Sequence, residues 1–309
     1  MIALVGYTGF VGSNIYAAGK DAIDCVYNSK NVQEAYGTAP DLLIYAGMRA
    51  EKYLANTAPQ ADMELVFRAE ENIAKIAPKK LVLISTIDVF HNPNGKDEDA
   101  PVTTEGLHAY GFNRYRLEQW VRERYPDALI VRLPALYGLH MKKNFIYDFL
   151  HVIPSMLKGD TFEELAAQAA LLREYYQPQE NGFYKCQALA PQEEQLLKET
   201  FQGLGFTALN FTDSRNAYQF YPLSRLWEDL QTALEASIPL WHPATEPVSA
   251  GEVYRYLTGE EFVNHIAPQP IYYNYKTKYA DVFGGRDGYL MGKDAVLSDI
   301  KKFVEGARA

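Results

Sequence analysis

Three glycines near the start of the chain have the spacing of a phosphate-binding turn. The segment GYTGFVG, residues 6–12, follows a short apolar run and precedes residues that favour a helix. Glycine permits a tight turn, lets the backbone approach a pyrophosphate and lets the helix pack closely on the strand; the first N–H groups of the helix then bind the phosphates. The strand and the helix on either side are the context that this motif requires, so the segment predicts dinucleotide binding. The predicted contacts are Gly6, Thr8, Gly9, Phe10, Val11 and Gly12.

The end of the second apolar run bears on which dinucleotide is bound. A dinucleotide-binding unit that takes NAD carries an acidic residue there, which binds the 2′-hydroxyl of the ribose. Here the positions are Asn28, Ser29 and Lys30, and none is acidic. Ser29 and Lys30 could contact a 2′-phosphate instead, although Lys30 could equally be a solvated loop residue. The predicted cofactor is NADP or NAD, with NADP slightly favoured.

Two arginines in the second half of the chain lie close to tyrosines. Arg215 and Arg225 are near Tyr218 and Tyr221. A guanidinium can hold a diphosphate and a phenol ring can stack on a base, so Arg215, Tyr221 and Arg225 are candidate substrate contacts. An ion-paired or solvated helix end is the alternative interpretation of the two arginines.

Apolar runs and helical segments alternate over the first 140 residues. The apolar runs are 2–5, 22–27, 42–45, 81–84 and 128–133, and helical spacing occurs in 10–18, 59–77 and 110–124. Continuous apolar strands separated by helices indicate a parallel sheet that is covered on both faces. Because such crossovers are almost always right-handed, we expect an α/β protein with a doubly wound Rossmann fold.

The pattern changes after about residue 143. Residues 144–200 are mainly helical in composition, and helical spacing recurs in 222–236 and 249–257. We therefore predict two domains. Residues 1–143 would bind the dinucleotide, and residues 144–309 would form a smaller, mainly helical substrate region. One or two strands of that region, such as 238–241, could rejoin the sheet.

The order of the motifs resembles the extended short-chain dehydrogenases/reductases, the NAD(P)-dependent epimerase/dehydratase group that acts on nucleotide sugars. Besides the glycine loop, the matching segments are YAG at 45–47, LISTIDVF at 83–90, YGFNR at 110–114 and VRLPALYG at 131–138. The resemblance implies that Tyr45, Ala46, Gly47 and Pro134 line the cofactor. It also implies an oxidoreductase or epimerase that acts on a nucleotide sugar or a related carbohydrate.

The resemblance implies a catalytic set as well. Tyr110 matches the acid/base tyrosine of the family, whose pKa must be lowered by a cation one helical turn on. Arg114 stands at that position, and residues i and i+4 share one face of a helix. Thr86, with Ser85 beside it, matches the hydroxyl that orients the substrate oxygen. Asp88 lies where related dehydratases carry a carboxylate base, or it caps the loop.

The arginine at position 114 leaves two functions open, because the family has lysine there. Arginine keeps the charge and could also donate to the cofactor ribose, but it is bulkier and cannot release a proton. One hypothesis is an active NAD(P)-dependent oxidoreductase or epimerase that uses Tyr110 and Arg114. The alternative is a sensor or scaffold of the same fold that binds NAD(P) without catalysis.

Charge and composition bear on the remaining classes of partner. The chain has 30 basic and 39 acidic residues and a net charge of −9, whereas a nucleic-acid-binding protein needs a basic face. The two cysteines and six histidines lack metal-binding spacing, and no apolar stretch approaches the roughly 20 residues of a membrane span. With no signal-peptide pattern, we expect a cytoplasmic protein with a small-molecule partner and no metal. The resemblance adds the expectation of a homodimer through helices 59–77 and 110–124.

Overall fold

Strands and helices alternate through the first half of the computed structural model, which describes residues 1–308. The strands are β1 (Ile2–Val5), β2 (Cys25–Tyr27), β3 (Leu42–Tyr45), β4 (Lys80–Thr86), β5 (Leu129–Leu133), β6 (Ala135–Tyr137), β7 (Met156–Lys158), β8 (Tyr176–Pro178), β9 (Phe183–Cys186), β10 (Ala217–Tyr218), β11 (Phe220–Pro222), β12 (Leu240–Trp241) and β13 (Val248–Ser249). The helices are α1 (Phe10–Gly19), α2 (Lys52–Thr57), α3 (Pro59–Ile76), α4 (Ala109–Arg124), α5 (Phe145–His151), α6 (Gly159–Gln168), α7 (Leu172–Tyr175), α8 (Pro191–Gly203), α9 (Leu226–Glu235), α10 (Ala250–Thr258) and α11 (Lys293–Arg308). None of these helices is long and apolar enough to cross a membrane.

Six strands form one sheet in the order β12-β5-β4-β3-β1-β2, and their pairings are parallel. The strand order reverses between β1 and β3, where the chain leaves one side of the sheet and continues on the other. In open α/β sheets, ligands bind at the carboxyl ends of the strands near such a reversal. The predicted doubly wound Rossmann fold is confirmed.

Both faces of this sheet are covered by apolar packing. On one face, Val66 of α3 and Val121 of α4 belong to the same buried cluster as Leu43 of β3. Successive residues of a strand point to opposite faces, so Leu4 and Ile44 point to the other face, and they are equally inaccessible to solvent. Burial on both faces explains why the strands have continuous apolar sequences instead of alternating ones.

The chain divides into two units that are not continuous in sequence. The first unit contains residues 1–140, 217–248 and 272–300, and the second contains 141–216, 249–271 and 301–308. This division differs from two continuous domains with a boundary at 143/144, because two later segments return to the first unit. One of them supplies β12, which pairs with β5 at the edge of the sheet.

The second unit contains a small sheet that the sequence patterns did not predict. β7, β9 and β8 form a three-stranded antiparallel sheet, next to a core that includes Phe162 of α6 and Phe201 of α8. Each strand has only three or four residues, too few for an alternating pattern to be recognised. Helices α5, α6, α7 and α8 nevertheless supply most of residues 144–200, so the small sheet is an addition to a mainly helical region.

Candidate active site

A cavity of about 210 Å³ lies at the carboxyl ends of β4 and β5 in the first unit. Its walls are residues 86–88, residues 133–135, Tyr218, Gln219, Tyr273 and Tyr275. Pairing of β11 with β6, which joins Phe220 to Ala135, brings the segment with Tyr218 beside residues 133–135. The cavity thus contains the predicted Thr86, Asp88 and Pro134, together with three tyrosines from later in the chain.

Tyr110 lies next to this cavity because α4 begins close to the end of β4. Gly111 permits this approach, since a Cβ atom there would lie 2.0 Å from the carbonyl oxygen of Asp88. The start of the helix is held by His108, whose Nδ1 accepts from the N–H of Gly111 at 3.0 Å. The Thr86 hydroxyl is close enough to lower the pKa of the Tyr110 phenol, so the structure places the predicted acid/base near the predicted orienting hydroxyl.

The pKa of Tyr110 is raised from its ordinary value. Burial is the largest cause, and the charges of Asp88 and Asp62 act in the same direction. Arg114 and the hydrogen bond from Thr86 lower the pKa but do not outweigh burial. The expectation that Arg114 leaves Tyr110 with a lowered pKa is therefore wrong for this structure, and the phenol stays protonated at neutral pH.

Arg114 is packed against the tyrosine and paired with an acid that sequence reasoning missed. Its guanidinium carbon lies 4.1 Å from the centre of the Tyr110 ring. One Nη donates to Asp62 of α3 and the other donates to the carbonyl oxygen of Arg49. The Arg114 and Asp62 side chains are only 4% and 8% exposed, so the pair is shielded from water.

Asp62 left a signal in the sequence that could have been found. It lies on the buried stripe of α3 together with Val66, Ala69, Ile73 and Ile76, and an acid on an apolar face needs a partner. Asn113 donates a second hydrogen bond to the same carboxylate at 2.8 Å. The pattern indicates a buried partner but not which cation supplies it.

Removing the charge of Asp62 should destabilise the protein strongly. Asp62→Asn would leave the Arg114 guanidinium buried without its anion, and breaking a buried ion pair in this way costs about 3–5 kcal/mol. Glu71→Gln is a control on the same helix, because Glu71 pairs with Lys75 at an exposed site. Its free energy of unfolding should be almost unchanged. Urea denaturation measures both, and equal effects would contradict the buried-pair interpretation.

Asp88 faces the cavity and has two partners in the first unit. Lys52 of α2 lies 3.0 Å from its Oδ2, and the Tyr273 hydroxyl donates to its Oδ1 at 3.3 Å. The backbone N–H of Asp88 donates to Thr86 Oγ1 at 3.2 Å, so the cap of this turn is the Thr86 hydroxyl and not the Asp88 carboxylate. Lys52 was not predicted, because nothing in its local sequence marks it as close to β4.

Ser85 does not face the cavity. Successive strand residues point to opposite faces, and its hydroxyl donates to Glu118 of α4 at 2.6 Å on the other side from Thr86. Glu118 is completely buried and pairs with Arg132, also at 2.6 Å. Arg132 in turn approaches His242, whose pKa falls to about 3 because of burial and the neighbouring guanidinium. Ser85 therefore belongs to a buried polar network and not to the substrate side.

The glycine loop has the shape that a pyrophosphate needs. Gly6 has a φ of +95°, and a Cβ atom there would lie 2.4 Å from the carbonyl oxygen of Ala46. At Gly12 it would lie 2.1 Å from the carbonyl oxygen of Gly6. Gly9 is different, because its φ is −81° and its nearest contact is Gly6 at 3.3 Å. The protein itself requires the first and third glycines, whereas the second keeps open the space in front of α1.

The start of α1 supplies donors to that space. Gly9 precedes the helix, and no side chain among residues 1–308 caps it. The first N–H groups of a helix have no partner within the helix, so those of Phe10, Val11 and Gly12 are available to an anion. Thr8 is exposed beside them. The residues present therefore fit a dinucleotide.

The other predicted cofactor contacts are divided by the structure. Ser29 and Lys30 are exposed after β2, while the side chain of Asn28 accepts from the N–H of Lys30 at 2.9 Å and so shapes the turn. Ala46 and Gly47 lie against Gly6. The Tyr45 side chain, however, is buried in the core under α3, where burial raises its pKa to about 12.

The three predicted substrate contacts do not meet at the cavity. Arg215 is in the second unit and pairs with Asp213 at 2.7 Å. Tyr221 is completely buried and donates to Asp229 at 2.6 Å. Arg225 pairs with the same Asp229 at 3.2 Å, which is the ion-paired helix end that was the alternative. Tyr218 is the residue of this segment that lines the cavity.

Comparison of this chain with known families finds a match. The model of the family described as RmlD substrate binding domain matches residues 2–158. No protein among the curated sequences matches the chain.

Solved structures share the architecture over nearly the whole length. The chain is similar to a dTDP-4-dehydrorhamnose reductase from Bacillus anthracis str. Ames in complex with NADP, with 16% identity, coverage of 98% of this chain and 97% of the other, and a TM-score of 0.62. It is also similar to a UDP-glucose 4-epimerase from Thermotoga maritima with UDP-glucose. The identity is 13%, the coverage is 99% of this chain and 98% of the other, and the TM-score is 0.60. A third similar structure is MoeE5 in complex with UDP-glucose and NAD. The identity is 14%, the coverage is 100% of this chain and 99% of the other, and the TM-score is 0.61. At these identities the likeness shows the fold alone.

Proposed function

This chain belongs to the RmlD substrate binding domain family, within the extended short-chain dehydrogenases/reductases, and on that premise we propose that it is an NAD(P)-dependent oxidoreductase or epimerase acting on a nucleotide sugar. The observation that carries the proposal is the placement of Thr86 and Tyr110 near each other, beside a cavity at the carboxyl end of β4. The glycine loop follows β1 in the same parallel sheet, so both features lie at one edge of that sheet.

The cofactor would be held by the loop and by the neighbouring strand ends. Gly9 leaves room for the pyrophosphate, and the N–H groups of Phe10, Val11 and Gly12 would bind its oxygens. Ala46, Gly47 and Pro134 would line the rest of the site. Bound NAD(P)H supplies a hydride to a substrate carbon. The reductase and MoeE5 structures, one with NADP and the other with NAD, support a cofactor of this class.

Tyr110 would act as the proton donor in the reductive direction. Its raised pKa keeps the phenol protonated, and it would give the proton to the oxygen of a substrate carbonyl as that oxygen gains negative charge. Thr86 would orient the same oxygen through its hydroxyl. Arg114, 4.1 Å from the ring centre, would then stabilise the phenolate that remains. In this proposal, Arg114 stabilises the phenolate electrostatically across the face of the ring and does not contact the ribose.

A second candidate function is a sensor or scaffold that binds NAD(P) without catalysis. The observation that favours it is the engagement of Arg114, which holds Asp62 and the Arg49 carbonyl and so has a different environment from a freely extended lysine. An assay of hydride transfer separates the two functions. NADPH or NADH is mixed with each of a panel of nucleotide keto sugars, and the nicotinamide absorbance is monitored. Transfer on any substrate supports the enzyme. Tight cofactor binding, with neither hydride transfer nor epimerisation of any bound sugar, supports the sensor.

The choice between NADP and NAD can be tested at Lys30. If Ser29 and Lys30 bind a 2′-phosphate, the native protein should prefer NADPH. Lys30→Ala should then weaken NADPH binding by about 10-fold to 100-fold and leave NADH unchanged, because one charge-assisted contact is lost. Calorimetric titration measures both affinities, and Lys20→Ala, at an exposed lysine after α1, is the control. Equal affinities for NADPH and NADH in the native protein would contradict the prediction.

A further inference from the structure

Tyr275 carries a buried hydroxyl for which residues 1–308 supply no hydrogen-bond partner. Its side chain is 0% exposed. Burying a polar group without a partner costs about 1–3 kcal/mol, and nearly all buried polar groups in native proteins are satisfied. Three other side-chain atoms share this property, in Glu70, Gln231 and Trp241, but these residues do not line the cavity described above. Tyr275 does line it, and a small shift of its ring would bring the hydroxyl, which is closed to solvent in this structure, within reach of a ligand there.

The backbone of Tyr275 is held at both its N–H group and its carbonyl oxygen. Gln219, itself 1% exposed, accepts from the N–H of Tyr275 at 2.8 Å and donates to its carbonyl oxygen at 2.9 Å. The same amide donates to Thr245 at 2.6 Å, so its orientation is fixed as well. The ring packs against Ile87, Phe90 and Ala244. The backbone of Tyr275 is therefore fixed at the wall of the cavity, and only small movements of the ring are needed to change the exposure of its hydroxyl.

The hydroxyl of Tyr275 stays protonated and can donate. Burial raises its pKa well above the ordinary value, and the charge of Asp88 acts in the same direction. Once the ring shifts slightly, a polar atom in the cavity would meet a hydrogen-bond donor with no competing partner among the described residues. The gain on binding would be larger than for an exposed tyrosine, because no bond to water is given up.

The other walls of the cavity indicate what kind of molecule fits. Thr86, Tyr218 and Tyr273 add hydroxyl groups, while residues 133–135 and the aromatic rings add apolar surface. Asp88 is the acidic residue of the lining, and the described lining contains no Lys or Arg. Asp88 can accept hydrogen bonds from hydroxyl groups, and because its charge is paired with Lys52, the described lining offers a phosphate no unpaired cation. The lining therefore suits a neutral ring with polar edges and apolar faces, such as a sugar ring.

We propose that Tyr275 is a specificity-determining residue, whose hydroxyl forms a hydrogen bond with an oxygen of the neutral sugar ring of the substrate. The inference rests on the proposed function for the identity of the ligand. It adds that the diphosphate of a nucleotide sugar binds outside this cavity. It also adds that one particular ring oxygen is recognised by a group that the free protein leaves unsatisfied.

A matched pair of variants tests the first half of the proposal without any substrate. Tyr275 and Tyr221 are both completely buried tyrosines, but only the second has a partner, Asp229 at 2.6 Å. Tyr275→Phe should leave the midpoint of urea denaturation unchanged or raise it, because an unsatisfied group is removed. Tyr221→Phe should lower the midpoint, because a hydrogen bond is lost. If both variants lower it equally, Tyr275 has a structural partner and the inference is overturned.

A second experiment tests the ligand. UDP-glucose and analogues that each lack one ring hydroxyl are titrated into the native protein and into Tyr275→Phe, both saturated with NADPH. One analogue should bind the native protein about 10-fold more weakly than UDP-glucose, and Tyr275→Phe should no longer distinguish the two. Discrimination that persists in Tyr275→Phe, or no binding of any probe, overturns the inference. Binding and discrimination as expected, but without hydride transfer, would instead overturn the enzymatic part of the proposed function and leave this inference standing.

Discussion

Replacing Tyr110 by phenylalanine should remove hydride transfer while leaving cofactor binding within about twofold of the native value. The ring packs against Arg114, and phenylalanine keeps that packing. Only the proton donor is lost, and general acid catalysis of this kind contributes about 100-fold to 10,000-fold in rate. Steady-state nicotinamide oxidation on an active nucleotide sugar gives the rate, and fluorescence titration gives the affinity for NADPH.

A control on the same helix separates loss of chemistry from loss of structure. Tyr115 is part of α4 and its hydroxyl accepts from Gln119 at 2.6 Å, but it does not line the cavity. Tyr115→Phe should therefore keep most of the activity. If the native protein and Tyr110→Phe behave alike on every substrate that binds, the catalytic assignment is wrong and the sensor function takes its place.

The dependence of the rate on pH provides a further check of the role of Tyr110. The phenol must be protonated to donate, and burial raises its pKa above the ordinary value. The rate of reduction should therefore stay level through neutral pH and fall only at alkaline pH, where the phenol loses its proton. A fall near pH 7 would mean that cofactor binding lowers the pKa to the value expected from the family resemblance.

Replacing Gly9 by valine should abolish dinucleotide binding without unfolding the protein. Gly9 has a φ of −81°, which any residue can adopt, and a Cβ atom there would meet only the Gly6 carbonyl oxygen, at 3.3 Å. The valine side chain would instead occupy the space in front of α1 that a pyrophosphate needs. Calorimetric titration with NADPH and NADH should detect no binding, and the circular dichroism spectrum should match that of the native protein.

Substitutions at two other glycines test whether the effect of Gly9→Val arises from the space that the pyrophosphate would occupy. A Cβ atom at Gly203, at the end of α8, would meet nothing within 4 Å, so Gly203→Val should bind the cofactor normally. Gly12→Val should instead damage the fold, because its Cβ would collide with the backbone of Gly6 at 2.1 Å. Native affinity in a folded Gly9→Val protein would exclude the loop as the dinucleotide site.

The sequence by itself determined the alternating strands and helices of residues 1–140 and the glycine loop. Burial on both faces of a parallel sheet imposes continuous apolar runs, and these can be recognised in a sequence without knowledge of the partner strands. The glycine spacing could also be recognised in the sequence. Gly6 and Gly12 are required by close contacts within the strand–turn–helix unit and with the residues after β3. The roles of Thr86 and Tyr110 followed from the family resemblance, and the structure places the two side chains near each other.

Only the tertiary structure decided the environment of those groups. Asp62 meets Arg114 across 52 positions and Tyr273 meets Asp88 across 185, and such pairings depend on how separate elements pack and not on any local period. The same holds for the direction of the Tyr110 pKa, which burial sets against the nearby cation. It holds also for Tyr221 and Tyr275, which are the same residue type with the same burial but differ in whether another segment supplies a partner. A sequence specifies which side chains can form hydrogen bonds, whereas the packed fold determines which of them are left for a ligand.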